Sequence, residues 1–307
     1  MTSMQWTGVM PAITTPFNDQ GQVDHAFLAR HAKWLIDARC TGMIALGSLG
    51  EGATLRPNEK VEILRTLVEA VGGRVPVVAS ISALSTQDAV ELAQRAVEAG
   101  CKGLMVLPPY VHKGPWEEIK AHFEAIITAT DASCMIYNNP IAYGTDLSAE
   151  QIAELATHDN VAAVKESSGD VRRISAVRAR LGDRLNCFAG LDDMIVEACG
   201  VGAIGWVAGL VNAFPHESVA VFEAARDGDR DKAFEIYKWF LPLLRLDCVP
   251  EFVQLIKLVQ KEVGMGSENV RLPRKPAFGQ QREEALAIIK EALATRPQIE
   301  GGLEGVN

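Results

Sequence analysis

Lys165 ends an apolar run, and a charged residue at such a place could do chemistry. Residues 161–164 read VAAV, and the polar turn ESSG follows Lys165. Four consecutive apolar residues predict a parallel strand that is covered on both faces. Ligands bind at the carboxyl ends of such strands, and a half-buried amine loses hydration there, which favours its neutral, nucleophilic form. Lys165 is therefore either a nucleophilic amine at a ligand site or a lysine whose stem is buried while its head reaches water.

Three other segments combine glycine or polar residues with the end of an apolar run. GSLGEG begins at Gly47, YNNP begins at Tyr137 and GLDD begins at Gly190. The glycine-rich turn can direct backbone N–H groups and the Ser48 hydroxyl at one carboxylate. Taken alone, such a turn is more often only a turn, and a tyrosine at a strand end is more often a packing residue. The combination with Lys165 is what indicates a site.

Eight apolar runs alternate with amphipathic helical stretches along the chain, and helical patterns alone follow them. The apolar runs cover residues 9–16, 43–47, 75–81, 103–108, 134–138, 161–165, 185–190 and 203–209, and the later helical patterns cover residues 217–227, 230–246, 251–263 and 281–294. Eight βα units predict an α/β fold, a (β/α)8 TIM barrel, whose active site lies at the carboxyl ends of the strands. We predict a catalytic barrel domain over residues 1–228 and a C-terminal helical region over residues 229–307.

Composition and charge argue against several classes of function. The 307 residues carry a formal net charge of −9, which argues against nucleic-acid binding, and no apolar stretch approaches the roughly 20 residues that span a bilayer. The first six residues lack the pattern of a signal peptide, so we expect a cytoplasmic protein. The six cysteines show no metal-binding or redox spacing and are expected to be reduced thiols. We expect no metal and no cofactor.

The GSLGE turn, the YNNP segment and the KESSG lysine, in this order on a barrel with a helical tail, resemble the dihydrodipicolinate synthase and N-acetylneuraminate lyase family. The resemblance covers nearly the whole chain and implies class I aldolase chemistry. It implies that Lys165 forms a Schiff base with a 2-oxo acid and that Tyr137 is the acid and base. It also implies that the turn at Ser48 and Leu49 holds the substrate carboxylate, that Gly190 adjoins the bound substrate, and that the protein is a homotetramer.

The chain departs from the synthases of this family at three positions. Leu49 replaces a threonine of their hydroxyl relay, Val111 replaces a second tyrosine beside Tyr110, and Ala142 replaces an arginine that holds the carboxylate of aspartate semialdehyde. Loss of a bidentate carboxylate anchor weakens transition-state binding strongly. We therefore do not expect the lysine-biosynthetic synthase, and we expect Leu49 and Val111 to make the barrel mouth apolar.

Longer segments resemble the branch of the family that deaminates 1-pyrroline-4-hydroxy-2-carboxylate in hydroxyproline catabolism. They include KESSGDVRR, AGLDDMIVE and YKWFLPLLRLD. Its substrate is a cyclic imino acid with one carboxylate, which agrees with the absence of the arginine. The resemblance implies conversion of this small molecule to 2-oxoglutarate semialdehyde and ammonia.

Other interpretations remain open. The chain could be a pyruvate aldolase like the synthases, a catalytically inactive barrel, or a retro-aldolase or dehydratase for a 2-oxo-3-deoxy sugar acid. In the last case Asp192, Asp193 or Ser167 would receive sugar hydroxyls, although the two aspartates could equally be favourable charges at a helix N-terminus. The aromatic residues of the tail, Trp239, Phe240 and Phe252, either offer apolar surface to another subunit or pack the tail on the barrel.

Overall fold

The computed structural model describes residues 4–299, and eight parallel strands form its centre. The strands are β1 (Gly8–Pro11), β2 (Met43–Ala45), β3 (Val77–Ile81), β4 (Gly103–Val106), β5 (Ser133–Asn138), β6 (Val161–Glu166), β7 (Asn186–Ala189) and β8 (Gly205–Ala208). From β2 to β8 each strand pairs with the next one in the chain, and β8 pairs with β1. A parallel bridge between Ala12 and Ile44 joins β1 to β2 and closes the barrel.

In the part of the chain that the structure describes, twelve helices surround and extend the barrel. They are α1 (His25–Asp37), α2 (Pro57–Val71), α3 (Thr86–Glu98), α4 (Trp116–Ile127), α5 (Pro140–Tyr143), α6 (Ala149–Leu155), α7 (Arg172–Leu181), α8 (Ile195–Gly200), α9 (Pro215–Asp227), α10 (Arg230–Leu244), α11 (Phe252–Glu262) and α12 (Gly279–Ala294). Capping residues stabilise the first turns of some of these helices. The Ser85 side chain accepts from Asp88 N at the start of α3, and Ser148 forms a capping box with Gln151 at the start of α6. The predicted (β/α)8 barrel is confirmed.

Six of the eight strands are shorter than the apolar runs that predict them, whereas β5 and β6 are one residue longer. The first run extends to Pro16, whereas β1 ends at Pro11, yet Ile13, Thr14 and Thr15 remain buried. Apolar residues occur wherever the chain is buried, whether or not they belong to a strand. The chain that follows β8 covers the barrel mouth. Residues beyond the hydrogen-bonded part of β1 are therefore buried as well. Burial alone therefore cannot mark where a strand ends.

The C-terminal helices pack into the same hydrophobic core as the barrel. Trp239 stacks on Phe240 at 5.2 Å between ring centroids, and its indole N–H donates to the carbonyl of Ala292 in α12. Phe240 is fully buried against Phe214, which lies immediately before α9. These two aromatic residues hold the tail together and do not form an exposed surface. The boundary at residue 228 stays a prediction.

Within residues 4–299, every helix is too short or too polar to cross a membrane. All six cysteines carry free thiols, and those of Cys40, Cys101, Cys134 and Cys187 are buried. Burial raises the pKa of these four thiols, so they are poor nucleophiles at neutral pH.

Candidate active site

Lys165 and Tyr137 lie side by side at the carboxyl ends of neighbouring strands. They are direct register partners between β6 and β5, and the Lys165 Nζ lies 4.3 Å from the centroid of the Tyr137 ring. Only 6% of Lys165 and 4% of Tyr137 is exposed to solvent. Both side chains are thus buried at the barrel mouth, within reach of one bound molecule, and the alternative of a lysine that extends into water does not hold.

The phenol of Tyr137 is oriented by Asn139. The Asn139 side-chain amide donates to the Tyr137 hydroxyl oxygen at 2.9 Å, and its own oxygen accepts from Ala142 N at the start of α5. Since the amide fills an acceptor position of the phenol oxygen, the phenol proton remains free to be donated elsewhere. Sequence reasoning did not identify Asn139, although asparagine before proline is a recognised helix-start signal.

The glycine-rich turn after β2 has a constrained backbone. Leu46 and Glu51 adopt positive φ angles of 66° and 54°, and a Cβ atom at Gly52 would lie 2.0 Å from the carbonyl oxygen of Leu46. Among the described residues, no protein acceptor pairs with the N–H groups of Ser48 and Leu49. Two neighbouring free N–H groups at the barrel mouth are suited to a carboxylate.

Ser48 is connected to a tyrosine that sequence reasoning overlooked. The Ser48 hydroxyl forms a short hydrogen bond with the hydroxyl of Tyr143, the last residue of α5. The ring of Tyr143 packs edge-on against Tyr137 and also against Tyr110. Burial, followed by the neighbouring Tyr137, holds the pKa of Tyr143 well above its usual value. A hydroxyl pair thus exists beside Tyr137 although Leu49 replaces the expected threonine.

Gly190 makes room for the lysine. It follows β7, and a Cβ atom at this position would lie 2.8 Å from Lys165 Cε and 1.9 Å from the Ser167 hydroxyl oxygen. Ser167 is buried, and its hydroxyl has no partner among residues 4–299. A side chain at position 190 would therefore displace the Ser167 hydroxyl and the end of the Lys165 side chain.

The C-terminal region is attached to the glycine-rich turn by a buried ion pair. Lys257 of α11 donates to Glu51 Oε1 at 2.6 Å, and both side chains are almost completely buried. The same ammonium donates to the carbonyls of Thr15 and Asn269, and Glu51 Oε2 accepts from Arg271 N. The conformation of the turn thus depends on residues more than 200 positions later in the chain.

The carboxylates of Asp192 and Asp193, which follow Leu191, are hydrogen-bonded to other groups of the protein. The Asp192 carboxylate is fully buried and accepts from the Trp206 indole and from the N–H groups of Gly209 and Leu210. Burial raises its pKa to about 6. Asp193 accepts from the thiol of Cys248. Asp192 therefore fastens β7 to the end of β8, a role that neither interpretation of the sequence had included.

The three departures from the synthase pattern lie in different surroundings. Leu49 is buried, with 3% of its surface exposed, whereas Val111 is 75% exposed. Within one chain, only Leu49 adds an apolar side chain to the mouth, so the expectation for Val111 is wrong there. Ala142 is exposed in α5 and presents a methyl group where the resemblance implies an arginine. Residues 4–299 contain no cluster of three or more metal-binding side chains.

Comparison with known proteins agrees with this arrangement. The family model described as the dihydrodipicolinate synthetase family matches residues 5–292. The chain belongs to the dihydrodipicolinate synthetase family. It is therefore an enzyme of the class I aldolase type, and the resemblance at the level of the family is confirmed.

Curated relatives and solved structures cover almost the whole chain. A 4-hydroxy-tetrahydrodipicolinate synthase of Natronomonas pharaonis is 32% identical over 295 residues, which cover 96% of this chain and 99% of that protein. A synthase of the same name from Geobacter metallireducens is 32% identical, with 92% and 98% covered. A dihydrodipicolinate synthase from Bacillus anthracis superposes with a TM-score of 0.90 at 26% identity, covering 96% of this chain and all of that one.

A structure described as a putative dihydrodipicolinate synthetase from Pseudomonas aeruginosa superposes with a TM-score of 0.89 at 31% identity, covering 94% of this chain and all of that one. These names place the chain among dihydrodipicolinate synthetase family enzymes. They support the interpretation as a pyruvate aldolase more directly than the interpretation as a deaminase.

Proposed function

We propose that the protein is a Schiff-base deaminase that converts 1-pyrroline-4-hydroxy-2-carboxylate to 2-oxoglutarate semialdehyde and ammonia. The observation that carries this choice within the family is Ala142, whose exposed methyl group offers no anchor for a second carboxylate. The proposed substrate has one carboxylate, on the carbon that Lys165 would attack. A compact ring also suits a mouth to which the buried Leu49 adds apolar surface.

In this proposal, Lys165 attacks the imine carbon of the ring and opens it by transimination. The buried amine lies 4.3 Å from the centre of the Tyr137 ring, so the phenol is within reach of the same carbon and its substituents. Tyr137 would move the protons that transimination and hydrolysis require, because Asn139 leaves its phenol proton free. The resulting imine withdraws electrons from the adjacent carbon, which loses a proton.

The remaining steps follow from this electron sink. The electron pair at the adjacent carbon expels the 4-hydroxyl group as water. Tautomerisation moves the double bond to the carbon that bears the released amine, and hydrolysis there gives the aldehyde and ammonia. Hydrolysis at Lys165 then frees the product. Over the cycle, one water is consumed for each substrate converted.

The substrate carboxylate would bind the glycine-rich turn. The free N–H groups of Ser48 and Leu49 supply two donors, and the Ser48 hydroxyl, held by Tyr143, supplies a third. Gly190 leaves the space in which the lysine and the carboxylate approach each other. We assign these roles from the positions of the residues at the strand ends and from the chemical groups that they carry.

A second candidate is the condensation catalysed by 4-hydroxy-tetrahydrodipicolinate synthases, and the names of the relatives favour it. This reaction brings in a second carboxylate. Burial raises the pKa of both Tyr110 and Tyr143, and the partly buried Arg274 is near enough for its charge to oppose this rise. In this second candidate Arg274 would replace the missing anchor, and Arg274→Ala would abolish condensation.

Two parallel assays decide between the candidates. The purified enzyme is given 1-pyrroline-4-hydroxy-2-carboxylate, and ammonia and aldehyde are measured by coupled dehydrogenases. The same enzyme is given pyruvate with aspartate semialdehyde, and condensation is followed. Equal amounts of ammonia and 2-oxoglutarate semialdehyde, with negligible condensation, would support the deaminase. Condensation without ammonia would establish the synthase, and pyruvate release from a 2-oxo-3-deoxy sugar acid would establish the retro-aldolase.

For the quaternary structure, we propose a homotetramer located in the cytoplasm. Exposed apolar side chains support association, among them Leu84, Val111 and Ile141, each of which is at least 70% exposed in the single chain. One solved relative is nevertheless described as a monomeric dihydrodipicolinate synthase variant, so the state needs measurement. Sedimentation velocity at micromolar concentration should show a tetramer, and a monomer alone would reject the proposal.

A further inference from the structure

A second carboxyl group lies beside the buried Asp192 at the barrel mouth. Asp247 follows α10 in a short 3₁₀ turn, and its Oδ1 lies so close to Gly209 that a Cβ atom there would approach it to 2.1 Å. Gly209 comes directly after β8, so the C-terminal region delivers this carboxyl group to the strand ends where the candidate active site lies. Nothing in the family-level description of the site accounts for it.

Asp247 has no hydrogen-bond partner for its buried oxygen. Although the residue as a whole is partly exposed, Oδ1 is inaccessible and unpaired among the described residues. A carboxyl group that served only to fasten the tail would be expected to accept N–H donors, as Asp192 does four times. An unsatisfied buried oxygen lowers stability, so fastening the tail does not account for the position of this carboxyl group.

Burial raises the pKa of both carboxyl groups, but they differ in their hydrogen bonding. Asp192 receives N–H donors that favour its ionised form. Burial, followed by the negative charge of Asp192, holds the pKa of Asp247 well above its usual value. The positive charge of Lys165 opposes the rise in the pKa of both carboxyl groups. Two interacting carboxyl groups whose surroundings differ in this way commonly divide into one acid and one charged neighbour.

We propose that Asp247 is the acid that protonates the 4-hydroxyl group as it leaves. This inference rests on the proposed deaminase function. The electron pair from the carbon beside the Lys165 imine forms the new double bond while the bond from carbon 4 to oxygen breaks. The Asp247 proton passes to that oxygen, water departs, and the carboxylate left behind is reprotonated from solvent before the next turnover.

The groups that face Asp247 define its pH dependence. Asp192 and Asp193 make it harder to ionise, Lys165 makes it easier, and the Cys248 thiol next to it is bonded to Asp193. The elimination step should therefore lose rate as the pH rises and Asp247 becomes ionised. Formation of the lysine imine does not require this group and should not share that loss.

The test separates elimination from imine chemistry with two substrates. Asp247→Asn is compared with wild type and with Asp183→Asn, a control in which the lost carboxylate is 95% exposed. Ammonia release from 1-pyrroline-4-hydroxy-2-carboxylate measures elimination. Exchange of the carbon 3 protons of 1-pyrroline-2-carboxylate in deuterated water, above the rate without enzyme, measures imine formation and proton loss from carbon 3 without elimination, because this analogue has no leaving group.

We expect Asp247→Asn to slow ammonia release by about a hundredfold while exchange on the analogue is unchanged. Asp247→Leu should behave in the same way, and melting temperatures of both variants verify folding. Equal losses in the two assays would show a structural role and overturn the proposal, as would wild-type ammonia release in either variant. If wild-type enzyme exchanges the analogue but releases no ammonia, the deaminase function itself fails, and the role of Asp247 as this acid fails with it.

Discussion

Replacing Lys257 by methionine removes a charge that is buried between the C-terminal region and the glycine-rich turn. The ammonium donates to Glu51 at 2.6 Å, to the Asn269 carbonyl at 2.7 Å and to the Thr15 carbonyl at 2.8 Å. Methionine keeps the length of the stem but leaves the Glu51 carboxylate buried with one N–H partner, that of Arg271. Removing one partner of a buried ion pair costs about 3–5 kcal/mol, and solvent screens little of this because both side chains are buried.

Chemical denaturation of the two proteins measures this loss as a difference in the free energy of unfolding. Lys261→Met is the matched control on the same helix, because Lys261 forms a pair with Glu268 that is 43% exposed on the lysine side; it should cost no more than about 1 kcal/mol. The double variant Glu51→Gln/Lys257→Met should recover part of the loss, since no unpaired charge remains. Equal, small losses for Lys257→Met and Lys261→Met would refute this reasoning.

Lys257→Met should also raise the KM for the substrate. The turn that would bind the substrate carboxylate loses the ammonium that holds it, so its backbone becomes free to move. Rates at saturating substrate should change less than KM, because Lys165 and Tyr137 are held by β5 and β6. A fall in kcat at unchanged KM would show that the turn has no part in carboxylate binding.

Four further predictions follow from the same structure. Borohydride with pyruvate should trap an adduct on the Lys165 peptide, and Lys165→Ala should abolish turnover in a folded protein; an adduct on Lys102 would contradict the assignment. Tyr137→Phe should slow ammonia release by about a hundredfold or more, as measured in the coupled assay, with unchanged circular dichroism as the control. Gly190→Ala should abolish borohydride trapping, because the added methyl group would approach Lys165 Cε; normal trapping would count against the close approach. Burial lowers the pKa of His31 in the folded protein to about 4. Below about pH 6.5 the unfolded chain therefore binds a proton that the folded chain does not. The free energy of unfolding should fall by up to about 3 kcal/mol as the pH drops from about 6.5 to 4. His31→Gln should show a smaller fall in the same unfolding series.

The sequence was sufficient to predict the barrel and to place Lys165 and Tyr137 at the ends of its strands. Local patterns are enough for this prediction. An apolar run followed by a polar turn marks the end of a buried strand, whatever the tertiary arrangement of the following residues. Lys165, Tyr137, Ser48 and Gly190 all follow such runs, and a closed barrel brings all strand ends to one face. The adjacency of Lys165 to Tyr137 follows from the consecutive order of β5 and β6.

The environment of that pair was decided by the tertiary structure. Tyr143 reaches Ser48, Lys257 reaches Glu51 and Asp247 reaches Gly209 across separations of 95, 206 and 38 residues. No local pattern predicts these contacts, because they depend on how α5 and the helices after β8 pack against the strand ends. A lysine within an amphipathic helix or an aspartate after one is typical of a solvated surface. Only packing against the strand ends removes water from these groups, and this loss of hydration gives them a part in the site.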